Sequence, residues 1–594
     1  MNGLLIFNND VIFRKFNKPL EVKLQQIAKS QGLLNEDAST DEEQSLDNNI
    51  ILQIFSPLIN SQNIMFCQFD NTYSSFQCEQ GVNFSFGDFL GYTFIKIGSD
   101  IVEKLRRQIG VCISFAKHLC GPNLFLLQGN EEKCRMLTAL LQSYEDLYDT
   151  NQMVLLEALP QLLINGDLKN TITKIMGVSL DKLKDLGFER AHTLMFVQQK
   201  FTGISSSPKA IKLSASDILF VTFLHKTLQA QGKQCSEFYL QGERSSNLHG
   251  CIPMVMQSFS LDKGVVLLFL VEYGNPYISS SLFDSFFVVQ KVLNIQMQGD
   301  LDNLKPCYEN LETYAKQTLE ALRKAKLKGI DLAHKKFASK WENLRKLYNE
   351  FFKTSEKDLV LRIESNIPGF QEDLKELFRL TSSPASCALP AENDLQKMSE
   401  ISAIVEERLL EFSEFLSVKA ERNIMVESYL EEFPGLVHFI FIDRSNGTMI
   451  APDLPTETKL IPKEKIWTMV EFSRSYLRDG HTRIMWKDPT FHYSYFLWFE
   501  EKNNPGTAMK HPDFRSVHMA AVTGSKPKLE PGVLTGSSDD FYQSLMDISF
   551  PKTSPNKIKC YELFCIHLGL VTGTCAVEHC RRLVATISDI TGES

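Results

Sequence analysis

The sequence predicts a mixed α/β chain of the α+β class, arranged as three successive strand-and-helix blocks. Strand-length apolar runs bounded by Gly, Asn or Pro alternate with longer segments of helical period, in three separate groups. The clearest strand, Leu436–Ile442, places Val437, Phe439 and Phe441 on one face and Leu436, His438, Ile440 and Ile442 on the other. Both faces are largely apolar, so helices on each side, or a second sheet, must cover them. A chain of 594 residues also exceeds what one core fills, at about 150 residues per domain.

The first block is expected over 1–128. Leu4–Phe7 and Val11–Phe16 read as two strands joined by a polar Asn-Asn-Asp turn, and Leu20, Leu24, Ile27 and Ala28 repeat at helical spacing. Asn35–Asn49 holds six acidic residues and almost no apolar ones, which predicts a mobile loop. A helix over Ile50–Ile59, strands over Tyr73–Cys78, Val82–Phe89 and Tyr92–Ile97, and a helix over Ile101–Leu119 follow. Residues 129–234 read as a helical extension, with segments such as Met136–Tyr148 and Ala215–Gln229.

The second block is expected over 235–381. Its strands are Phe238–Gln241, Cys251–Phe259 and Gly264–Tyr273, followed by helices over Ser279–Ile295 and Leu311–Phe352. Ten Lys or Arg stand against three acidic residues between Lys316 and Lys346. Such a run is first a solvated helix face and second a contact for an anionic membrane or an acidic partner. A linker and connecting helix occupy 382–418, with Leu395–Leu416 helical and Glu406, Glu407, Glu411 and Glu414 facing outward.

The third block is expected over 419–594. A Phe433-Pro434-Gly435 break precedes the strand Leu436–Ile442, and Asn446-Gly447 supplies the positive φ angles of a short hairpin turn. A helix over Lys465–Arg478, the aromatic strand Phe491–Phe499, an irregular Thr523–Ser538 segment and helices over Asp540–Met546 and Pro555–Ile590 complete it.

Composition excludes several classes. A formal net charge of -9 argues against a general nucleic-acid binder. The longest purely apolar run, Val265–Val271, is far short of the roughly 18–20 residues of a membrane-spanning helix. The first residues predict neither a signal peptide nor a myristoylation site, and no prenylation box ends the chain. Thirteen scattered cysteines fit reduced cytosolic thiols better than a disulfide framework, which would leave the sequons at Asn83 and Asn446 unused.

No motif carries covalent chemistry. There is no GxxxxGK[ST], GxSxG or HExxH, and Thr523–Lys526 has only the tail of a phosphate loop. Cys560, Cys565, His567, Cys575, His579 and Cys580 form the most metal-like cluster, yet their CxxxxC and CxxxHC spacings on expected helices lack a second knuckle. Buried reduced thiols are the better reading, and neither a metal site nor a cofactor is expected. His438 and His492 read as core histidines, and Glu431-Glu432 as solvated helix-end charges. Tyr493, Tyr495, Phe496, Trp498 and Phe499 read as sheet core rather than a base-stacking platform.

The run SYLEEFPGLVHFIFIDRSNGTMIAP at Ser428–Pro452, with YSYFLWFE at Tyr493–Glu500, resembles the C-terminal region of tri-longin exchange-factor subunits, a family that includes the Mon-one and Ccz-one proteins. DNTYSSFQCEQG at Asp70–Gly81 and the order of the N-terminal strands extend the likeness more loosely. The resemblance implies three longin-like α-β-α sandwich domains with helical extensions. It makes Tyr429, Phe433, Pro434, Gly435, His438, Asp443, Gly447, Tyr495 and Trp498 family-motif residues of structural role. It also implies a guanine-nucleotide exchange-factor subunit without covalent chemistry, in the branch that forms biogenesis of lysosome-related organelles complex 3. The implied partners are the Hermansky–Pudlak syndrome 4 protein, as heterodimer, and Rab GTPases of the thirty-two and thirty-eight subfamily. The implied location is cytoplasmic, with peripheral recruitment to endosomal or lysosome-related organelle membranes. First longin domains pair into a GTPase platform in this family, which would put contacts at Val11, Phe13, Arg14 and Gln53; sheet core is the plainer reading of Val11 and Phe13. The rival function is a longin adaptor that binds GTP-loaded Rab as an effector, without exchange.

Overall fold

A computed structural model describes all residues except 35–45, 70–71, 79–80, 244–249, 326–328, 355, 385, 388, 425–431, 455–460, 511–529, 535–540, 555–556 and 592–594. The chain opens with β1 (Asn2–Asn8) and β2 (Asp10–Phe16), followed by α1 (Lys18–Ser30), α2 (Asn48–Phe69), β3 (Ser75–Gln77), β4 (Asn83–Phe89), β5 (Tyr92–Gly98) and α3 (Val102–Cys120). Next come α4 (Glu131–Tyr148), α5 (Gln152–Leu156), β6 (Leu159–Pro160), α6 (Gly166–Asp185), β7 (Ala191–Val197), β8 (Lys200–Ser206) and α7 (Ala215–Ala230). β9 (Cys235–Leu240), β10 (Ile252–Ser260) and β11 (Val265–Glu272) lead into four helices, α8 (Pro276–Gln298), α9 (Leu301–Ala325), α10 (Asp331–Thr354) and α11 (Lys357–Ser382). The last part holds α12 (Glu392–Glu421), β12 (Leu436–Asp443), β13 (Thr448–Ile450), α13 (Lys463–Arg478), β14 (Arg483–Lys487), β15 (Phe491–Glu501), β16 (Asn504–Ala508), α14 (Phe541–Ser549), β17 (Ile558–Leu568) and α15 (Gly573–Thr591).

One topology occurs three times. The sheets share the orders β2-β1-β5-β4-β3, β8-β7-β11-β10-β9 and β13-β12-β17-β15-β14, each with its fifth strand beside its first and its second outermost of the five; the third sheet continues past β13 into β6 and carries β16 on β15. In each, a helix separates the second strand from the third and another follows the fifth. Local chemistry sets the helix starts. Asn17 caps α1 by accepting from Leu20 N, Ser214 and Asp217 form a capping box on α7, and Asn275 with Pro276 opens α8.

The chain divides into two compact units, one of 1–139, 237–254 and 273–389 and the other of 140–236, 255–272 and 390–594. In the first, α1 and α2 bury Leu20, Leu24, Ile51, Phe55 and Ile59 against Leu5, Phe7, Val11, Phe86 and Ile95 of the sheet. α8–α11 pack as a helical bundle whose core stacks Tyr308, Trp341, Tyr348 and Phe370. In the second, β6 pairs in parallel with β13, and its continuation reaches β8, where Leu162 N donates to Phe201 O at 2.9 Å. β6 thus closes the open edges of two sheets, both of which would otherwise expose unpaired backbone groups.

Several expectations are corrected. Residues 129–234 are not a purely helical extension: β7 and β8 lie there and belong to the second sheet. Their apolar runs, AHTLMFV and KFTGISS, are short and flanked by helices, so periodicity alone did not separate them from helix. The single helix over Leu311–Phe352 is two, α9 and α10. Pro555–Ile590 is not all helix, because Ile558–Leu568 is the central strand β17. The helix expected over Ile50–Ile59 runs from Asn48 to Phe69. By length and composition it could cross a membrane, contrary to the reading from apolar runs, but its Ile51–Phe55–Ile59 stripe lies in the first sheet's core. Most of the acidic loop of Asn35–Asn49, the Thr523–Lys526 segment and Glu431 lie outside the described residues.

Candidate functional site

Two surfaces carry the residues singled out by sequence. The first is β2 with α2. Val11 and Phe13 are buried; Val11 pairs with Phe7 in the ladder and shares the core with Phe55. Arg14 is half-buried and its Nη1 donates to Leu46 O. Burial pulls the guanidinium below its ordinary range, while Glu21 and Asp47 oppose that shift. Gln53 is exposed on α2. Of the four, Gln53 alone lies fully on the surface, and Arg14 is held by a backbone carbonyl. The more informative feature is the helix as a whole. Asn48–Phe69 contains no charged residue, its outer face carries Gln53, Asn60 and Asn63, and Ile64 and Phe69 are 52% and 63% exposed. Surface helices normally set charges opposite their buried stripe. A polar but uncharged face with exposed apolar side chains suits a protein contact, since desolvating it costs no charge burial.

The second is the β12–β13 hairpin with β15 and β17. Phe433 is fully buried in the core formed by Leu436, Phe439, Phe441, Tyr561 and Cys565. A bulge between Leu436 and His438 rotates Leu436 onto the face of Phe439 and Phe441, which corrects strict alternation along the strand. The turn also differs from the two-residue turn expected. Asp443 pairs with Thr448 across a four-residue loop, and of Asn446 and Gly447 only Gly447 has positive φ, at 67°. Asp443 builds the loop: Oδ1 accepts from Ser445 N at 2.9 Å and Asn446 N at 3.2 Å, and Oδ2 from Asn446 Nδ2 at 2.6 Å.

Gly447 and Gly435 sit where a side chain does not fit. A Cβ on Gly447 would lie 2.7 Å from Ala215 Cβ and 3.1 Å from Ala215 Cα, and one on Gly435, at φ 83°, would lie 2.6 Å from Val571 Cγ2. Gly447→Ala is therefore expected to lower stability by about 1–3 kcal/mol, combining overpacking with left-handed strain. A drop in the urea midpoint of that size checks it; an unchanged midpoint would place the turn away from α7. Pro434 precedes Gly435 at the strand entrance, and Trp498 is half-buried, packing on Phe441 and Tyr561 and donating Nε1–H to Glu500 Oε1 at 2.8 Å. Tyr429 lies outside the described residues.

Beside this hairpin is a buried polar network that sequence reasoning missed. Arg444 Nε donates to Glu562 Oε2 at 2.6 Å, with both side chains 1% exposed. Glu562 Oε1 accepts from Tyr495 at 2.6 Å and Tyr542 at 3.2 Å, and the Tyr542 ring lies 4.2 Å from the guanidinium carbon. Arg444 Nη1 donates to Leu156 O at 2.7 Å, and Glu157 Oε2 accepts from Val533 N and Leu534 N. Burial works against the guanidinium charge, but Glu562, Tyr542 and Glu157 outweigh it and hold the Arg444 pKa above its ordinary value. The network ties six separate segments of the chain through buried groups, so its role is architectural. Its sequence signal was Glu562, a lone acid within the apolar run of β17.

His438 is fully buried with Nε2 unpartnered, and burial pushes its pKa down to about 4. The cysteine–histidine cluster does not converge: no group of three potential ligands able to hold a metal occurs among the described residues. Cys560 and Cys565 lie on β17, Cys575 and Cys580 on α15, and Cys575 Sγ is 3.4 Å from His579 Nε2. His492 is held by Val571 O at 3.2 Å. None of the thirteen cysteines forms a disulfide.

Comparison with known families agrees with this architecture. Residues 3–150 match the family model described as the first longin domain of FUZ, MON1 and HPS1, and residues 435–590 match that of the third longin domain of the same proteins. The two matches together span just over half of the chain and coincide with the first and third sheets. The chain is a tri-longin member of the FUZ, MON1 and HPS1 family, carrying that family's first and third longin domains with a sheet of the same strand order between them.

Proposed function

We propose that this chain is a subunit of a heterodimeric guanine-nucleotide exchange factor for Rab GTPases, of the Hermansky–Pudlak syndrome 1 type. Its partner subunit is the Hermansky–Pudlak syndrome 4 protein, and its GTPases are Rabs of the thirty-two and thirty-eight subfamily. In this reading the complex serves lysosome-related organelle biogenesis, such as that of melanosomes, from the cytoplasm and by peripheral recruitment to membranes. The observation that carries the reading is the pair of family matches at the two ends of the chain. The charge-free α2 beside edge strand β2 supports it as a surface able to accept a partner.

Exchange requires no nucleophile or general acid. A GTPase holds its nucleotide through a phosphate loop, Mg²⁺ and an ordered switch segment. A protein that binds the nucleotide-free, switch-open form more tightly than the loaded form accelerates release, by an amount bounded by that difference in affinity, about 1.4 kcal/mol per tenfold. The test is release of fluorescent GDP from a Rab of that subfamily, with this chain alone and with its partner. Acceleration only with both subunits is expected. Binding confined to the GTP-loaded Rab, without acceleration, would overturn the reading in favour of an effector-type adaptor.

A further inference from the structure

The start of α15 brings a thiol and two imidazoles together in a way that nucleotide exchange does not use. Thr572 stands just before the helix, and its Oγ1 accepts from Cys575 N at 3.3 Å. Cys575 therefore lies in the first turn, at the positive end of the helix dipole. Its side chain is exposed, and its Sγ lies 3.4 Å from Nε2 of His579, one turn further along.

Behind this thiol the surroundings are dry. His579 is 6% exposed, and its Nδ1 has no hydrogen-bond partner among the described residues. The ring sits between Phe433, edge-on at 5.8 Å, and His567, at 5.4 Å. His567 is fully buried and neither of its ring nitrogens is partnered. A buried N–H without an acceptor is costly, so two adjoining imidazoles in this state point to a role beyond packing. The charged groups facing His579 are Arg582 and Glu578 of its own helix. On the adjoining strands the titratable groups are His567 of β17 and, 6.5 Å beyond it, His492 of β15. Burial and Arg582 pull the His579 pKa below its ordinary value against the opposing Glu578, so the ring is neutral near pH 7. Its one polar neighbour within hydrogen-bond reach among the described residues is the Cys575 thiol.

We propose that Cys575 is a site of mixed-disulfide formation with small disulfides of the glutathione class, with His579 as the base. The thiol proton passes to His579 Nε2 as the sulfur attacks one sulfur of the reagent. The new S–S bond forms as the old one breaks, and the departing thiolate takes the proton back from the imidazolium. One protein thiol and one disulfide thus give one mixed disulfide and one free thiol, with no further oxidant. The sulfur is exposed and its base is buried behind it, so attack is made outward, on a reagent in solution. Cys565 contrasts with it: burial pushes that thiol well above its ordinary range and keeps it inert. The inference does not depend on nucleotide exchange.

The test is incubation of the full chain with oxidised glutathione, followed by mass spectrometry of its peptides. Cys78 and Cys235, both exposed, are references within the same molecule. Cys575 should be labelled on the order of tenfold or more faster than either, within what a positioned base contributes. His579→Gln has a side chain of similar size that cannot take up a proton, and should bring Cys575 down to the rate of Cys78. From about pH 8 to about pH 6.5 the rate at Cys575 should fall less steeply than that at Cys78, because the imidazole takes the proton. A packing role for His579 would leave the two slopes alike. Should His579→Gln fail to fold, the comparison within the wild-type chain still decides. Labelling of Cys575 no faster than that of the two references, parallel pH slopes, or undiminished labelling in a folded His579→Gln would overturn the proposal.

Discussion

Replacing Arg444 by Met is expected to cost about 3–5 kcal/mol of stability, the largest single-residue effect anticipated in the chain. The physical reason is asymmetric. Arg444 and Glu562 are both 1% exposed, so neither charge is solvated, and each is tolerated only because the other lies 2.6 Å away. Removing the guanidinium leaves the Glu562 carboxylate with two tyrosine hydroxyls and no countercharge, and frees the carbonyl of Leu156. Glu562→Met should cost a similar amount by stranding Arg444. The double variant Arg444→Met/Glu562→Met should be markedly less destabilised than the sum of the two, because no uncompensated charge remains. Urea unfolding followed by tryptophan fluorescence reads this directly, since Trp467, Trp486 and Trp498 of the four tryptophans lie in the third domain. Additive losses in the cycle, or a loss below about 1 kcal/mol for Arg444→Met, would show that the pair is solvated.

Acid should weaken the second unit over a defined window. His192, His438 and His567 are buried, and burial pushes each pKa down to about 4, aided at His567 by His579 and His492 and opposed at His192 by Asp217. An unfolded histidine titrates near 6.5, so above that pH the imidazoles are neutral in both states and the stability is fully present. As pH falls from about 6.5 the unfolded chain takes up protons that the folded chain refuses. Stability declines until about pH 4, by on the order of 3 kcal/mol per histidine. Glu272 works the other way. Burial outweighs its ion pair with Arg190 and lifts its pKa to about 7, so protonation between pH 7 and its unfolded value near 4.3 regains some stability. Burial also lowers the pKa of His225, His492 and His579, so the histidines together leave a net loss. His438→Leu should flatten the pH slope by roughly a third of the contribution of His192, His438 and His567, and its unpartnered Nε2 makes the apolar replacement tolerable. An unchanged slope in that variant would mean that His438 is reached by water.

Legibility differed sharply between elements. β12 was readable because Leu436–Ile442 is apolar at every position but His438 and ends at a turn. α13 and β15 were located within a few residues for the same reason, since amphipathic period and aromatic alternation are local properties. The family resemblance came from long strings at Ser428–Pro452 and Tyr493–Glu500, which carry far more information than composition. β7 and β8 were lost inside helical surroundings, and β17 was taken for helix because a buried central strand shows no alternation to distinguish it. The charge-free face of α2 was legible only in part, because the helix had been read to Ile59 and not to Phe69.

The sequence by itself determined that the chain is a three-block α+β protein, where its clearest strands and breaks fall, and which family it resembles. These are consequences of local periodicity and turn chemistry, which act over a few residues. Tertiary structure alone decided the rest. Arg444 meets Glu562 across 118 residues, Glu157 meets Val533 across 376, and β6 closes the edges of β13 and β8. No local pattern encodes such partners, because a buried charge or an open strand edge specifies only that it must be satisfied, and chain folding selects which distant group satisfies it. The same holds for the basic run between Lys316 and Lys346. Its charge was plain in the sequence, but which of its cations are matched by carboxylates and which remain exposed depends on how α9, α10 and α11 pack.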